Sequence, residues 1–148
     1  MLASASTLAE ELVGDFFGLG PRDWLGLQYQ VFPAGEGAEN VLATLALLES
    51  PSLLPCRRRW FYGIFLAEGR VLSLAQGRSF LEALLLYIFT HELIHMVRFL
   101  KFRASFWMPA PLRFEEEKKV HQLCRKVLAG LALEDLGAVL SRFDEIYT

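Results

Sequence analysis

The residues best suited to chemistry in this chain are five in a row, His91-Glu92-Leu93-Ile94-His95. On a helix, side chains four positions apart lie on one face, one turn apart. Two imidazoles so spaced can share one tetrahedral zinc ion, each at about 2.0–2.1 Å. Glu92 follows the first of them and can project beside the metal. There it can take a proton from water that the ion has acidified and later deliver it to a leaving amine. The pattern therefore points to Zn2+ and to hydrolysis, with Glu92 as the catalytic general base. At ordinary residue frequencies a chance His-Glu-x-x-His in a chain of this length has odds on the order of one in two hundred.

A catalytic zinc ion takes a third protein ligand and keeps one position open. The donors downstream are Glu115, Glu116, Glu117 and His121. Val120, Leu123, Cys124, Val127, Leu128 and Leu131 mark the apolar face of a helix that ends near Gly130. At about 100° per residue, Glu115 points away from that face, while Glu116 and Glu117 flank it at roughly 50° on either side. Geometry removes Glu115 and keeps both others. His121 has several roles open to it: third ligand in place of a glutamate, hydrogen-bonding support for His91, oxyanion stabiliser, or plain helix-edge residue.

The elements that must position these groups are also legible. Ser79-Phe80-Leu81-Glu82 fits a capping box, which predicts a long helix from there to about Phe99 with the motif inside it. Its flanks Ile88, Phe89, Thr90, Leu93, Ile94, Met96 and Val97 are uncharged, as a buried metal helix requires. Pro109 and Pro111 suit the first turn of the next helix, and Glu115, Glu116 and Glu117 are expected in or near that turn, where the dipole favours acids. A last amphipathic helix covers about 133–146. Upstream, residues 5–17 read as a helix, Leu25 to Phe32 as a loose strand, Pro33 to Gly37 as a loop, and Glu39 to Glu49 as a helix stopped by Ser50-Pro51-Ser52. Trp60 to Leu66 and Val71 to Leu74, separated by Glu68-Gly69, predict a β-hairpin.

Bulk properties narrow the classes. The chain has 148 residues, 53% of them apolar, and a net charge of −2. That fits one domain with a sizeable core and gives no reason to expect nucleic acid as a partner. Arg57-Arg58-Arg59 reads as a solvated strand start. Cys56 and Cys124 lie far apart with no Cys-x-x-Cys, which argues against a thiolate metal site. The first residues lack the pattern of a secretory signal, so a reduced, cytoplasmic setting is expected. Phe80 to Leu100 is long enough to cross a bilayer, but it carries Glu82, His91, Glu92, His95 and Arg98. It reads as a buried core helix, with peripheral membrane contact as the lesser alternative.

The HELIH segment followed by a glutamate-bearing helix resembles the gluzincins, HExxH metallopeptidases whose third zinc ligand is glutamate. Glu117-Lys118-Lys119-Val120-His121-Gln122-Leu123-Cys124 is similar to the Glu-x-x-Ala-Asx-x-Phe-Ala segment of the ImmA/IrrE-type and CAAX-protease-type peptidases. Val120 and Cys124 take the small positions and Leu123 the aromatic one. The resemblance covers roughly residues 58–131. It implies metal ligands His91, His95 and Glu117, Zn2+ as cofactor, and a peptide or protein substrate. It departs at His121, where Asp or Asn is expected; we place His121 with Glu92 as the catalytic candidates. The implied fold is α+β and zincin-like, with a small hairpin or sheet packed on the HExxH helix and on the glutamate helix. On this view residues 1–148 form one domain, with a helical part over 1–56 and the metallopeptidase-like core over 57–131. Such peptidases bind extended peptide along an edge strand upstream of the metal helix, and Arg59 to Phe65 is the matching segment; its richness in aromatics fits plain core sheet equally well. Phe99, Phe102, Phe106 and Trp107 are expected to pack in the core, with a specificity pocket or lid as the alternative; Arg98, Lys101 and Arg103 interleave with them. Tyr62 and Tyr87 are candidate proton donors that sequence alone does not place. The rival function is a non-catalytic, zinc-stabilised interaction or regulatory module on the same fold. Glu92, which ligation alone does not need, favours the hydrolase.

Overall fold

A computed structural model describes residues 2–35, 41–50, 59–101, 103–104 and 106–147. Cys56, Arg57, Arg58, Phe102 and the Pro51-Ser52 helix stop lie outside the described residues, as do Glu36 and Gly37 of the expected loop. The fold is α+β. In chain order its elements are α1 (Leu2–Phe17), α2 (Pro21–Leu25), β1 (Tyr29–Ala34), β2 (Ala43–Ser50), β3 (Arg59–Ala67), α3 (Glu68–Leu74), α4 (Arg78–Leu100), α5 (Ala110–Leu128) and α6 (Leu136–Ile146). They fall into two compact units, one over residues 1–19 and 75–148, the other over residues 20–74.

The helical unit is built around α4. Every residue from Ala83 to Val97 is buried, because α1, α5 and α6 all pack on it. A helix enclosed on all sides has no reason to segregate an apolar stripe, and from Ala83 to Val97 α4 is apolar or aromatic all round apart from Thr90 and its motif. α1 lies on α4 through small residues at four-residue spacing, Ala5, Ala9 and Val13, which let two helices approach closely. α4 is long and apolar enough to cross a membrane by length and composition, but most of it is buried within the protein.

The other unit holds a three-stranded mixed sheet in the order β1-β3-β2. β3 pairs parallel with β1, Tyr29 beside Tyr62, and antiparallel with β2, Ala43 beside Leu66. Gly63 lies under the stacked rings of Phe32 and Phe65 (5.0 Å between centroids). A Cβ there would meet Phe65 at 2.9 Å and Leu48 at 3.0 Å.

Several expectations are corrected. In the segment expected as a helix over 39–49, residues 43–49 belong to β2, and residues 39 and 40 lie outside the described residues: its Ala and Leu residues favour helices in isolation, but pairing along β3 overrides that preference. Val71 to Leu74 is part of α3 and not the return strand of a hairpin. Only Val71 is buried there, and Ser73 Oγ donates to the Gly69 carbonyl at 2.8 Å; short apolar runs do not distinguish strand from helix by periodicity. Arg59 to Phe65 belongs to the central strand, with both its edges already paired, so it cannot take up an added peptide strand. α4 begins at Arg78 behind Gly77, whose φ of 105° is a glycine conformation. No side chain caps it: Ser79 Oγ bonds Asp135 at the start of α6, and Glu82 accepts from Arg78 Nε at 3.3 Å. The three glutamates lie beyond the first turn of α5, so the helix dipole does not account for them.

Ala9 is fully buried against α4. Ala9→Leu forces additional methyl groups into that contact and is expected to lower stability by about 1–3 kcal/mol, read as a drop in the urea midpoint. An unchanged midpoint would show that the α1–α4 contact can yield.

Candidate metal centre

α4 carries Tyr87, His91, His95 and Phe99 at four-residue intervals, so all four side chains share one face. α5 supplies Glu117 opposite them. Glu117 Oε2 lies 2.7 Å from His91 Nε2 and 3.0 Å from His95 Nε2, and the two Nε2 atoms are 3.2 Å apart. A tetrahedral zinc ion with arms of about 2.0–2.1 Å has ligand–ligand edges of about 3.3 Å. The three atoms thus form a triangle slightly smaller than one face of that tetrahedron. Two imidazole nitrogens and one carboxylate oxygen are also a donor set zinc accepts. The residues present fit the ion.

Glu116, the other flanking acid, is engaged elsewhere. It is buried and receives a two-pronged pair from Arg98, Nη2 to Oε1 at 2.9 Å and Nε to Oε2. Glu115 is exposed and, among the described residues, pairs with Lys118 at 3.4 Å. One acid of three faces the imidazoles.

His121 does not reach the ligand atoms. Its Nδ1 lies 2.7 Å from the Tyr87 hydroxyl and its Nε2 lies 2.6 Å from Asp144 Oδ1. Tyr87 stands between it and the centre, with its hydroxyl 3.3 Å from His91 Nδ1. A direct role for His121, as ligand or as oxyanion stabiliser, does not match this placement, because both ring nitrogens are turned to other partners. Cys124 also sits behind His91, with Sγ 3.8 Å from Nδ1. Burial pushes its thiol well up, so it stays protonated and is a poor ligand.

Two residues near the centre carried no sequence signal. Tyr147, just past α6, stacks on His91 (5.8 Å, 20° between planes) and leans on His121 (5.3 Å). Asp144 anchors His121 from α6. Neither belongs to a motif, and both arrive through the packing of α6 on α4. Tyr87 could have been placed from its spacing of four before His91. Phe99 stacks on His95 (6.2 Å, 25°) and Phe106 meets Phe99 edge-on, while Trp107 is 77% exposed and not part of the core.

The charges are strongly biased. Burial lowers His91 below the ordinary imidazole value, outweighing the Glu117 hydrogen bond. At His95 burial acts the same way, but the Glu117 hydrogen bond and the nearby carboxylates overcome it and raise the value. Glu117 is held well below the usual carboxylate range, because the two imidazole hydrogen bonds outweigh its burial. Glu92 is 9% exposed and, among the described residues, has no hydrogen bond or ion pair. Burial pushes its carboxyl up to about 7, with the His95 charge opposing and the Glu117 charge adding.

No protein-family model matches the chain, and no curated protein or solved structure matches it either.

The raised Glu92 value has a consequence for metal-free protein. A carboxyl with a folded value near 7 and an unfolded value near 4.5 binds its proton more tightly in the folded state. Its contribution to stability is complete below 4.5 and is lost as pH rises to 7. Glu92→Gln is therefore expected to gain on wild type as pH rises from about 5 to 7, by roughly 1–3 kcal/mol at the upper end, in urea melts of chelator-treated protein. A difference that stays constant with pH contradicts this placement of Glu92.

Proposed function

We propose that the chain is a zinc-dependent metallopeptidase of gluzincin type on a zincin-like scaffold, acting on peptide bonds in a reducing, cytoplasmic setting. One observation carries this: Glu92, 9% exposed and without a hydrogen bond or ion pair among the described residues, lies one residue from His91 and within electrostatic reach of His95 and Glu117, which with His91 form a triangle of two imidazole nitrogens and a carboxylate oxygen. A buried ionisable group without a partner is costly to a fold, and metal ligation does not require one. A general base does, because its carboxylate must be free to take a proton.

His91, His95 and Glu117 would hold the ion. When bound, a divalent ion there supplies Lewis acidity toward a carbonyl oxygen and acidifies water near neutral pH. Glu92 then takes the proton from the attacking water and passes it to the nitrogen of the leaving amine. The value near 7 belongs to the metal-free protein; a bound cation beside Glu92 would lower it and favour the carboxylate that accepts the proton. Phe99 and Tyr147, stacked on the two imidazoles, hold the rings in place and limit water around them.

Untagged protein purified without chelator is expected to carry one equivalent of zinc by mass spectrometry. Glu92→Gln should keep the zinc and lose hydrolysis of a broad peptide library by about 10²–10⁴-fold. Zinc retained with no cleavage by wild type would favour the interaction module. Absence of zinc under gentle conditions would remove the metal centre altogether.

A further inference from the structure

A histidine ligand must keep one ring nitrogen bare for the ion, and the hydrogen bond at its other nitrogen decides which one. At His91 the ion-facing atom is Nε2, and Nδ1 faces the Tyr87 hydroxyl. From there a line of partners leads away: Tyr87 to His121 Nδ1, His121 Nε2 to Asp144 Oδ1, and Asp144 Oδ2 to Arg125 Nη1 at 2.8 Å. An ionised Asp144 can only accept, so His121 Nε2 donates to it. A neutral His121 then has a bare Nδ1, which accepts the Tyr87 O–H. The Tyr87 oxygen is left to accept from His91 Nδ1–H, and His91 Nε2 is bare. Tyr87 and His121 are both nearly fully buried, so bulk water does not substitute for either.

We propose that Tyr87, His121 and Asp144 are positioning residues, a hydrogen-bonded chain running from α6 through α5 to α4 that fixes His91 in the tautomer presenting Nε2 to a divalent ion. The chain rests on the metal centre proposed above. It also explains a histidine where the resembling families carry Asp or Asn: with Tyr87 interposed, the residue at 121 must accept from a hydroxyl on one side and donate to a carboxylate on the other. Imidazole does both through two separate nitrogens.

Cutting the chain at different points has different effects. Without His121, the acceptor left to the Tyr87 hydrogen is His91 Nδ1, and the ring's own proton then moves to Nε2, where it blocks the ion. Without the Tyr87 hydroxyl, His121 has no path to His91. Zinc affinity of the full-length protein, measured by competition with a chromophoric chelator, is expected to fall about 10–100-fold in Tyr87→Phe. Phe keeps the stack of residue 87 on Phe143 (4.1 Å, 15°), so the fold is retained. His121→Leu should lose at least as much, and the double variant should bind no more weakly than His121→Leu alone. Losses that multiply in the double variant would mean two independent packing defects and would overturn the chain, as would wild-type affinity in both single variants. If His121→Leu does not fold, Asp144→Ala replaces it, at a side chain that is 36% exposed. It should bind zinc several-fold more weakly, and unchanged affinity there overturns the chain equally. Wild-type protein that binds no zinc sinks the metal centre and the chain with it. Wild type that binds while all variants bind equally well sinks the chain alone.

Discussion

Four polar side chains, Thr90, His91, Glu92 and His95, sit in a stretch of α4 where every residue is buried. Buried polar groups are tolerated when partners reach them. Within α4 the Tyr87 hydroxyl lies 3.3 Å from His91 Nδ1; the other partners come from the elements packed around the helix. α5 brings Glu117 to both imidazoles, and α6 brings Asp144 to His121. The geometry of the centre is therefore the geometry of helix packing, and the apolar contacts that enclose α4 also hold three donor atoms within 2.7–3.2 Å of one another.

The placement of α5 matters most, because rotating it by one residue moves each side chain by about 100°. The Arg98–Glu116 fork ties α5 to α4 close to the centre. A planar guanidinium on a carboxylate constrains direction as well as distance. With Glu116 held to Arg98, Glu117 is turned to His91 and His95. The neighbouring acids thus have different tasks: one sets the rotation of the helix, and the next supplies the oxygen.

The centre is also where the fold is least content. Glu92 is buried without a hydrogen bond, and the Thr90 hydroxyl is buried without one among the described residues. Elsewhere α4 is packed with Leu, Ile, Phe and Met. Departures from local rules that gather around one cluster are a mark of function in proteins whose remaining choices agree with the fold.

Local spacing was enough to establish several features from the amino-acid order. The period of the helix puts His91 and His95 on one face, proline and glycine bound α5, and the same period excludes Glu115. These follow from backbone geometry within one element, which is written in the order of residues. The identity of β2, the helical α3, the central place of β3 and the choice between Glu116 and Glu117 were decided between elements. Ala43–Ser50 is a strand because β3 lies beside it, and Glu116 does not face the imidazoles because Arg98 claims it. Tyr147 and Asp144 reach the centre because α6 packs on α4. Such contacts join residues far apart in the chain, and no local pattern encodes which distant partner will satisfy a given buried group.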